Sequence, residues 1–465
     1  MITGPALEGA PSLFSVAFDL ASMGYSVHEH FVRGTATAYA DAGQRRPDGQ
    51  WAVEPSERAE FTTRVVVYRP TDPARGNGTL IVEWLNVTGG IDVPALWMPT
   101  HRHLVRDGYT WVGVSAQKVG IDGGGVMPGL GLRQTAPERY ESLRHPGDAY
   151  SFDIVTQVGR ELPEVLAERY GVRVDQVFAC GASQSAFHLT TYVNAIDPRE
   201  AVFDAFLLQG RAGAAAPITG WDASDLAPGR PEDMPARRAR LAGTDHIRDD
   251  VRVPVLVVQS ETDLLGSLSY LGARQPDSRR FRLWEVAGAA HCDTYFLHAA
   301  ANDSGRLTIE ELAALIARTE GSGLPTPLPI NSGPQMHYVL QRAFDALNRW
   351  AREGAAPPAA PRIEVDADGA LVVDADGVTR GGIRTPWVDA PIAVLSGVGQ
   401  PGFMTELFGI TRPFDDAALT ARYPGGRAEY ADRFAHATRA AVDAGFLLAA
   451  DAPEIEALGR VAWPG

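Results

Sequence analysis

Short apolar runs, rich in β-branched residues, recur along the chain as far as residue 286, and each ends in a small or polar cluster. Residues 28–38 and Arg64-Val-Val-Val-Tyr68 alternate or run apolar, as an antiparallel start to a sheet does. Six further runs follow, at 79–85, 110–115, 175–180, 205–209, 254–260 and 281–286. Continuous apolar runs of this length suit strands covered on both faces. The segments between them are compatible with helices. In 149–169, for example, Phe152, Ile154, Val155, Val158, Leu162 and Leu166 recur at helical spacing. The pattern predicts an α/β fold, with a mostly parallel eight-stranded sheet carrying helices on both faces.

Two departures from this rhythm suggest additions to the core. Residues 212–250 are rich in Pro, Gly and Arg, with Trp221, Leu226, Met234 and Leu241 scattered among polar groups. They lie between two core strands, as a lid insertion would. Beyond His291 the core needs one closing helix, and Met336–Trp350 fits it through Val339, Leu340, Ala343, Phe344 and Leu347. A helix near 308–319, a Pro-rich linker at 355–361 and a tail are surplus. The expected organisation is therefore a core of residues 1–354 that includes the lid, with a C-terminal extension, 355–465, packed on it.

The chemistry concentrates at residues 177–192. The run Val177-Phe-Ala-Cys180 leads into Gly181-Ala-Ser-Gln-Ser185, and a helical pattern begins at Ala186. Strand, sharp turn and helix are the setting of a nucleophile elbow, which lifts one serine hydroxyl clear of the sheet. Gly181 and Ala182 allow the close approach that such a turn needs, and Ser183 is the serine it would present. The Gln184 amide would stand at the helix N-terminus, where an unpaired N–H can meet an oxyanion. Position 185 holds serine where the elbow pattern usually closes with glycine.

Partners for Ser183 should follow in the order acid, then histidine. The strand-like Pro254–Ser260 runs into Glu261-Thr-Asp263, which puts two carboxylates at a strand's C-terminal end. Asp263, further into the loop, is the preferred acid, with Glu261 as the alternative. The run 281–286 and the small residues Ala287-Gly-Ala-Ala290 then deliver His291 as the base. A second oxyanion donor is expected from Asn86-Val-Thr-Gly-Gly90, after strand 79–85, through the amide of Asn86 or Val87.

Six segments spread over most of the chain carry a family resemblance. They are Glu83–Gly90, His145–Asp153, Gly181–Ser185, Trp284–His291, Asn331-Ser-Gly-Pro334 and Gly381-Gly-Ile-Arg-Thr-Pro386. Together they resemble a bacterial family of α/β-hydrolase-domain proteins, most of them regarded as carboxylesterases. In that family the serine before Gln-Ser is the nucleophile, so serine at position 185 follows the family pattern. The resemblance implies an α/β-hydrolase fold and acyl-ester chemistry with neither metal nor organic cofactor. The expected activity is hydrolysis of a small-molecule carboxylic ester through an acyl-enzyme on Ser183. Trp221 would offer apolar contact to the substrate. Acyl transfer, lactone or thioester cleavage by the same triad is one alternative, and a non-catalytic hydrolase-fold binding protein is another.

Composition narrows the rest. Forty-two basic against 57 acidic residues give a formal charge of −15, which disfavours nucleic acid and anionic membranes as partners. Lys118 is the only lysine and the sole candidate for Schiff-base chemistry, though a solvated loop charge is the simpler reading. Cys180 and Cys292 do not make a disulfide framework. The histidine pairs 28/30 and 101/103 lack companion ligands, so no metal is expected. Asp366-Ala-Asp-Gly369 and Asp374-Ala-Asp-Gly377 read as hairpin turns rather than calcium loops. With neither a signal-like N-terminus nor a spanning apolar run, a cytoplasmic enzyme is expected. The sequence carries no indication of oligomeric state.

Overall fold

A computed structural model of the chain describes residues 2–3, 6–125, 127, 129–220, 239–321, 326–402 and 404–464. The chain divides into two compact units. One comprises residues 1–15, 19–255 and 272–281, and the other residues 16–18, 256–271 and 282–465.

The first unit is built on a sheet. Strand β1 (Ile2–Thr3) pairs antiparallel with β2 (Tyr25–Asp41), and β2 forms a long hairpin with β3 (Val53–Pro70). The other strands of this unit are β4 (Thr79–Trp84), β5 (Thr110–Val114), β6 (Gln176–Ala182) and β7 (Ala205–Gln209). β3 pairs antiparallel with β5, after which every pairing is parallel: β5 with β4, β4 with β6, and β6 with β7. β4, β5 and β7 are buried at every position, which is why they appear in the sequence as unbroken apolar runs. Two more strands, β8 (Val255–Ser260) and β9 (Phe281–Val286), fall in the second unit apart from their first residues. Among the described residues this is the expected α/β fold, and its main sheet has one strand more than the eight anticipated. The addition is β1, whose two residues are too few to leave a periodic signal.

The helix Ser151–Tyr170 buries the six apolar residues that its sequence pattern singled out. It stops at Gly171, which adopts a left-handed conformation (φ 66°) and donates its N–H to Ala167 O. The two ends of the 212–250 segment are stitched together. Ala214 N–H reaches Leu241 O at 2.9 Å and Asp245 N–H reaches Gly213 O at 3.0 Å. Trp221, Leu226 and Met234 lie outside the described residues.

The second unit contains the helix Gln335–Glu353, the strand pair β10 (Ala393–Ser396) with β11 (Ile410–Pro413), and the helices Gly426–Asp443 and Ala452–Ala462. The Pro-rich stretch is strapped to β9. Arg282 Nε donates to Pro357 O and Trp284 Nε1 to Pro358 O, both at 3.0 Å. The tail is tied to the closing helix by Tyr338 Oη on Glu454 (2.9 Å) and Arg342 Nε on Gly445 O (2.9 Å). Both Asp-Ala-Asp-Gly stretches turn the chain between bridged residues, Val365 with Leu371 and Val373 with Thr379. Among the described residues, no helix is long and apolar enough to cross a membrane.

Glu83, on β4, shows how a buried carboxylate organises the first unit. It accepts the N–H groups of Leu96 (2.7 Å) and Trp97 (2.9 Å) and the indole N–H of Trp111 (2.8 Å). It thereby caps the helix Trp97–Arg106, which has no side-chain cap of its own. Burial pushes its pKa up to about 7, against the pull of those three donors. Between pH 4.5 and 7 the folded chain therefore holds a proton that the unfolded chain releases. Glu83 accordingly contributes most to stability below its unfolded pKa, and that contribution is lost as pH rises towards 7. Urea unfolding of wild type and Glu83→Gln from pH 4.5 to 7.5 should show their stability difference moving against wild type by on the order of 3 kcal/mol. A difference that does not vary with pH would refute this linkage.

Candidate active site

Ser183 stands between β6 and the helix Gln184–Thr191 with φ 57° and ψ −124°. A side chain with a Cβ rarely adopts such a backbone, and here it turns the chain sharply out of the sheet. Three hydrogen bonds hold the turn. Ser183 N–H donates to Gln209 O at the end of β7 (2.8 Å). The Ser185 hydroxyl accepts from Ala182 N–H (3.0 Å) and donates to Ala182 O (2.8 Å). Ser185 is therefore a clasp, fully buried, whereas Ser183 is partly exposed. Gly181 leaves room for this clasp: a Cβ there would lie 3.0 Å from both Ser185 Oγ and Leu189 Cδ1 and press on them. The helix begins at Gln184, two residues before the apolar pattern suggested, since the backbone break is at Ser183 itself. Among the described residues, the Gln184 N–H at this first position has no partner.

The loop after β4 closes on itself. Asn86 N–H donates to Val93 O (3.0 Å) and Val93 N–H to Asn86 O (2.9 Å). Of the two amides considered for the second oxyanion donor, that of Asn86 is thus committed. Among the described residues, the Val87 amide has no partner. The Asn86 side chain instead joins the loop to the elbow, donating through Nδ2 to Ala182 O at 3.0 Å.

A further polar chain steadies Gln184. Its Nε2 donates to Gln117 Oε1 (2.8 Å), which also accepts Trp84 Nε1 (3.0 Å). Gln117 Nε2 donates in turn to Asp148 Oδ2 (2.9 Å), and Asp148 Oδ1 accepts Lys118 N–H (2.8 Å). The segments around 84, 148 and 184 are thereby wired together. The Lys118 ammonium pairs with Asp122 at the surface.

In the second unit, His291 Nδ1 lies 2.6 Å from Asp263 Oδ1. The His291 side chain is 6% exposed and that of Asp263 is fully buried. Asp263 Oδ2 accepts Ser260 N–H (2.6 Å), so the carboxylate is fixed at both oxygens. A neutral ring that donates from Nδ1 leaves Nε2 as its proton acceptor. Glu261 points elsewhere. It accepts Gly288 N–H (2.5 Å), Ser396 Oγ–H (2.9 Å) and Gly397 N–H (2.8 Å), and burial raises its pKa. Its partners make it a fastener for the loop that carries His291.

That loop has other supports which the sequence did not announce. Thr262 Oγ1 accepts His291 N–H (3.2 Å) and donates to Gly397 O (2.6 Å). Asn331 Nδ2 and Gln335 Nε2 both donate to Gly288 O, at 2.8 and 3.1 Å. Ile383 pairs with the end of β9 through Ile383 N–H to Glu285 O (2.6 Å) and Ala287 N–H to Ile383 O (3.1 Å). Asn331–Pro334 and Gly381–Pro386 were among the segments that carry the family resemblance, but their partners are too distant in sequence to be inferred.

The profile of the alpha/beta hydrolase domain family matches residues 2–457. The chain belongs to that family. No curated protein matches it. Among solved structures it is similar to a thermostable esterase from Pseudomonas putida ECU1011, at 15% identity and a TM-score of 0.31, over 64% of this chain and 82% of that one. It is also similar to fungal esterases from Rhizomucor miehei, at 11% identity and a TM-score of 0.27, over 56% and 75% of the two chains. For an S-formylglutathione hydrolase from Agrobacterium tumefaciens the values are 13%, 0.29, 58% and 90%. Likeness at this level carries no argument about substrate.

The Ser185 clasp has a measurable consequence. Ser185→Ala leaves the buried Ala182 N–H without its acceptor, at a cost of about 1–3 kcal/mol in stability by chemical denaturation. A variant as stable as wild type would refute the clasp.

Proposed function

We propose that the protein is a serine hydrolase of carboxylic esters, with Ser183 as nucleophile, His291 as general base and acid, and Asp263 as the group that orients His291. The observation that carries this reading is the strained backbone of Ser183, partly exposed at a strand–helix elbow. Strain of this kind clusters at functional sites. Further support comes from the buried Asp263–His291 pair at 2.6 Å. The three are joined in the proposal by their order along the chain and by their chemistry. Ser183 Oγ attacks the acyl carbon as its proton passes to His291 Nε2. The imidazolium, stabilised by Asp263, then protonates the leaving alkoxide. Water, deprotonated by the same histidine, attacks the acyl carbon, and His291 returns that proton to Ser183 Oγ as the acyl–Oγ bond breaks and the acid leaves. The Gln184 and Val87 amides are proposed to take the tetrahedral oxyanion.

The test is intact mass after exposure to a fluorophosphonate probe, combined with turnover of p-nitrophenyl, lactone and thioester substrates. Wild type should gain one adduct at Ser183. Ser183→Ala should gain none and lose turnover by several orders of magnitude while remaining folded. Asp263→Asn should lower kcat by about 10⁴, since the wrong tautomer of His291 is then favoured. Glu261→Gln should act mainly on stability. If the probe labels another residue, or wild type turns over no ester, the reading fails.

Trp221 is proposed to contact the acyl or alcohol group. Discrimination per methylene is worth about 1–3 kcal/mol in an apolar pocket. Trp221→Ala should therefore raise KM for octanoate esters more than for acetate. An unchanged profile of kcat/KM from acetate to octanoate would remove Trp221 from the substrate site.

A further inference from the structure

We infer that Arg64 and Asp92 are positioning residues for the oxyanion loop: a buried ion pair that fixes where the Val87 amide points. The inference rests on the esterase reading, in which residues 86–93 supply one of the two oxyanion donors.

Asp92 is 1% exposed and Arg64 not at all. Asp92 Oδ2 accepts Arg64 Nη2 at 2.9 Å and also the Ser115 hydroxyl. Arg64 Nε donates to Ser115 Oγ (2.9 Å), and Nη1 to Glu29 Oε1 (2.8 Å). Glu29 is held in turn by Tyr140 Oη (2.8 Å) and Arg139 Nε (2.7 Å). Arg64 lies on β3, Glu29 on β2, and Ser115 directly after β5. The carboxylate of one loop residue is thus bolted to a framework of three strands. Asp92 immediately precedes Val93, which closes the loop on Asn86.

Stability is a poor explanation for such a pair. Removing two charges from water is costly, and apolar replacements of similar volume often hold a core equally well. What an apolar pair cannot supply is direction. The floor beneath the loop points the same way. A Cβ on Gly120 would lie 2.1 Å from Asp92 Oδ1 and 3.1 Å from Val87 Cγ1. Both residues therefore rest on bare backbone. Asp92 Oδ1 is buried with no hydrogen-bond partner among the described residues. Its carboxylate is consequently aimed from one side only, by Arg64 and Ser115.

An oxyanion donor works over a narrow range of distances, and a misplacement of about 1 Å can cost on the order of 10² in rate. The experiment uses the full chain with p-nitrophenyl acetate, a trifluoromethyl ketone that mimics the tetrahedral adduct, and urea denaturation. The variants are Asp92→Asn, Gly120→Ala and the apolar double replacement Arg64→Met/Asp92→Leu. Each should lower kcat by roughly 10- to 100-fold with KM changed less than about threefold. Affinity for the ketone should fall by the same factor as kcat/KM. At least one of Asp92→Asn and the double replacement should unfold near the wild-type midpoint. Folded variants with wild-type kcat, or activity lost only through KM, would overturn the inference. So would failure of both Asp92→Asn and the double replacement to fold, which would make the pair a stability element. If wild type neither labels at Ser183 nor turns over ester, the esterase reading has failed. If it does both and Asp92→Asn matches it, only the positioning role has failed.

Discussion

The elbow at Ser183 imposes a requirement on everything around it, because a backbone at φ 57° and ψ −124° costs on the order of 1–3 kcal/mol for a residue with a Cβ. That conformation persists only where neighbouring structure over-determines it. β6 is pinned between β4 and β7 by parallel pairing on both sides, and Gln209 O takes the Ser183 N–H at the point where β6 ends. The Ser185 hydroxyl then clasps Ala182 from the helix side. A serine at position 185 thus performs with a hydroxyl what the bare backbone of a glycine achieves through compactness. The parallel pairing of β6, the absence of a side chain at 181 and the start of the helix at Gln184 all converge on this one residue.

Buried carboxyl groups recur in both units as the means by which loops are fixed. Glu83 caps the helix Trp97–Arg106, Asp148 holds Gln117 and the Lys118 amide, and Glu261 gathers Gly288, Ser396 and Gly397. Asp263 fixes both Ser260 and His291. A buried carboxyl group is costly if any of its partners is lost, whether it is charged or holds a proton. Each such group is therefore intolerant of loop displacement. That intolerance suits the proposed chemistry, in which the direction of a few amides matters.

What was legible in the sequence follows from how local the governing interactions are. Strand 79–85 was read almost to the residue, as was helix 149–169, because burial on both faces or on one stripe writes a continuous local pattern. The apolar pattern after Ser183 begins two residues later than the helix itself, since a positive φ leaves no trace in hydrophobicity. The Asn86 amide could not be separated from that of Val87, because the Asn86–Val93 bridge depends on the path of the loop rather than on residue type. Glu261 and Asp263 are two residues apart, yet the partners of Glu261 lie at 288 and 396–397. Arg64 sits at the head of an apolar run and was read only as the edge of a strand. Its charge acquires meaning from Glu29, Asp92 and Ser115, none of them a sequence neighbour.

The same reasoning changes the status of the residues beyond 355. Read as composition, they are a linker and a tail added to a finished core. In the second unit they form part of the support of His291. Ser396 and Gly397 hold Glu261, which holds Gly288. Gly397 O receives the Thr262 hydroxyl, whose oxygen accepts the His291 amide. Ile383 pairs with the backbone at the end of β9, where the His291 loop departs. A loop of small residues, Ala287-Gly-Ala-Ala290, has few side-chain contacts with which to define its own path. Its path must be set by hydrogen bonds to backbone groups supplied from outside it, and the later segments supply them. The loop of small residues that carries His291 thus takes its path from structure downstream of the histidine.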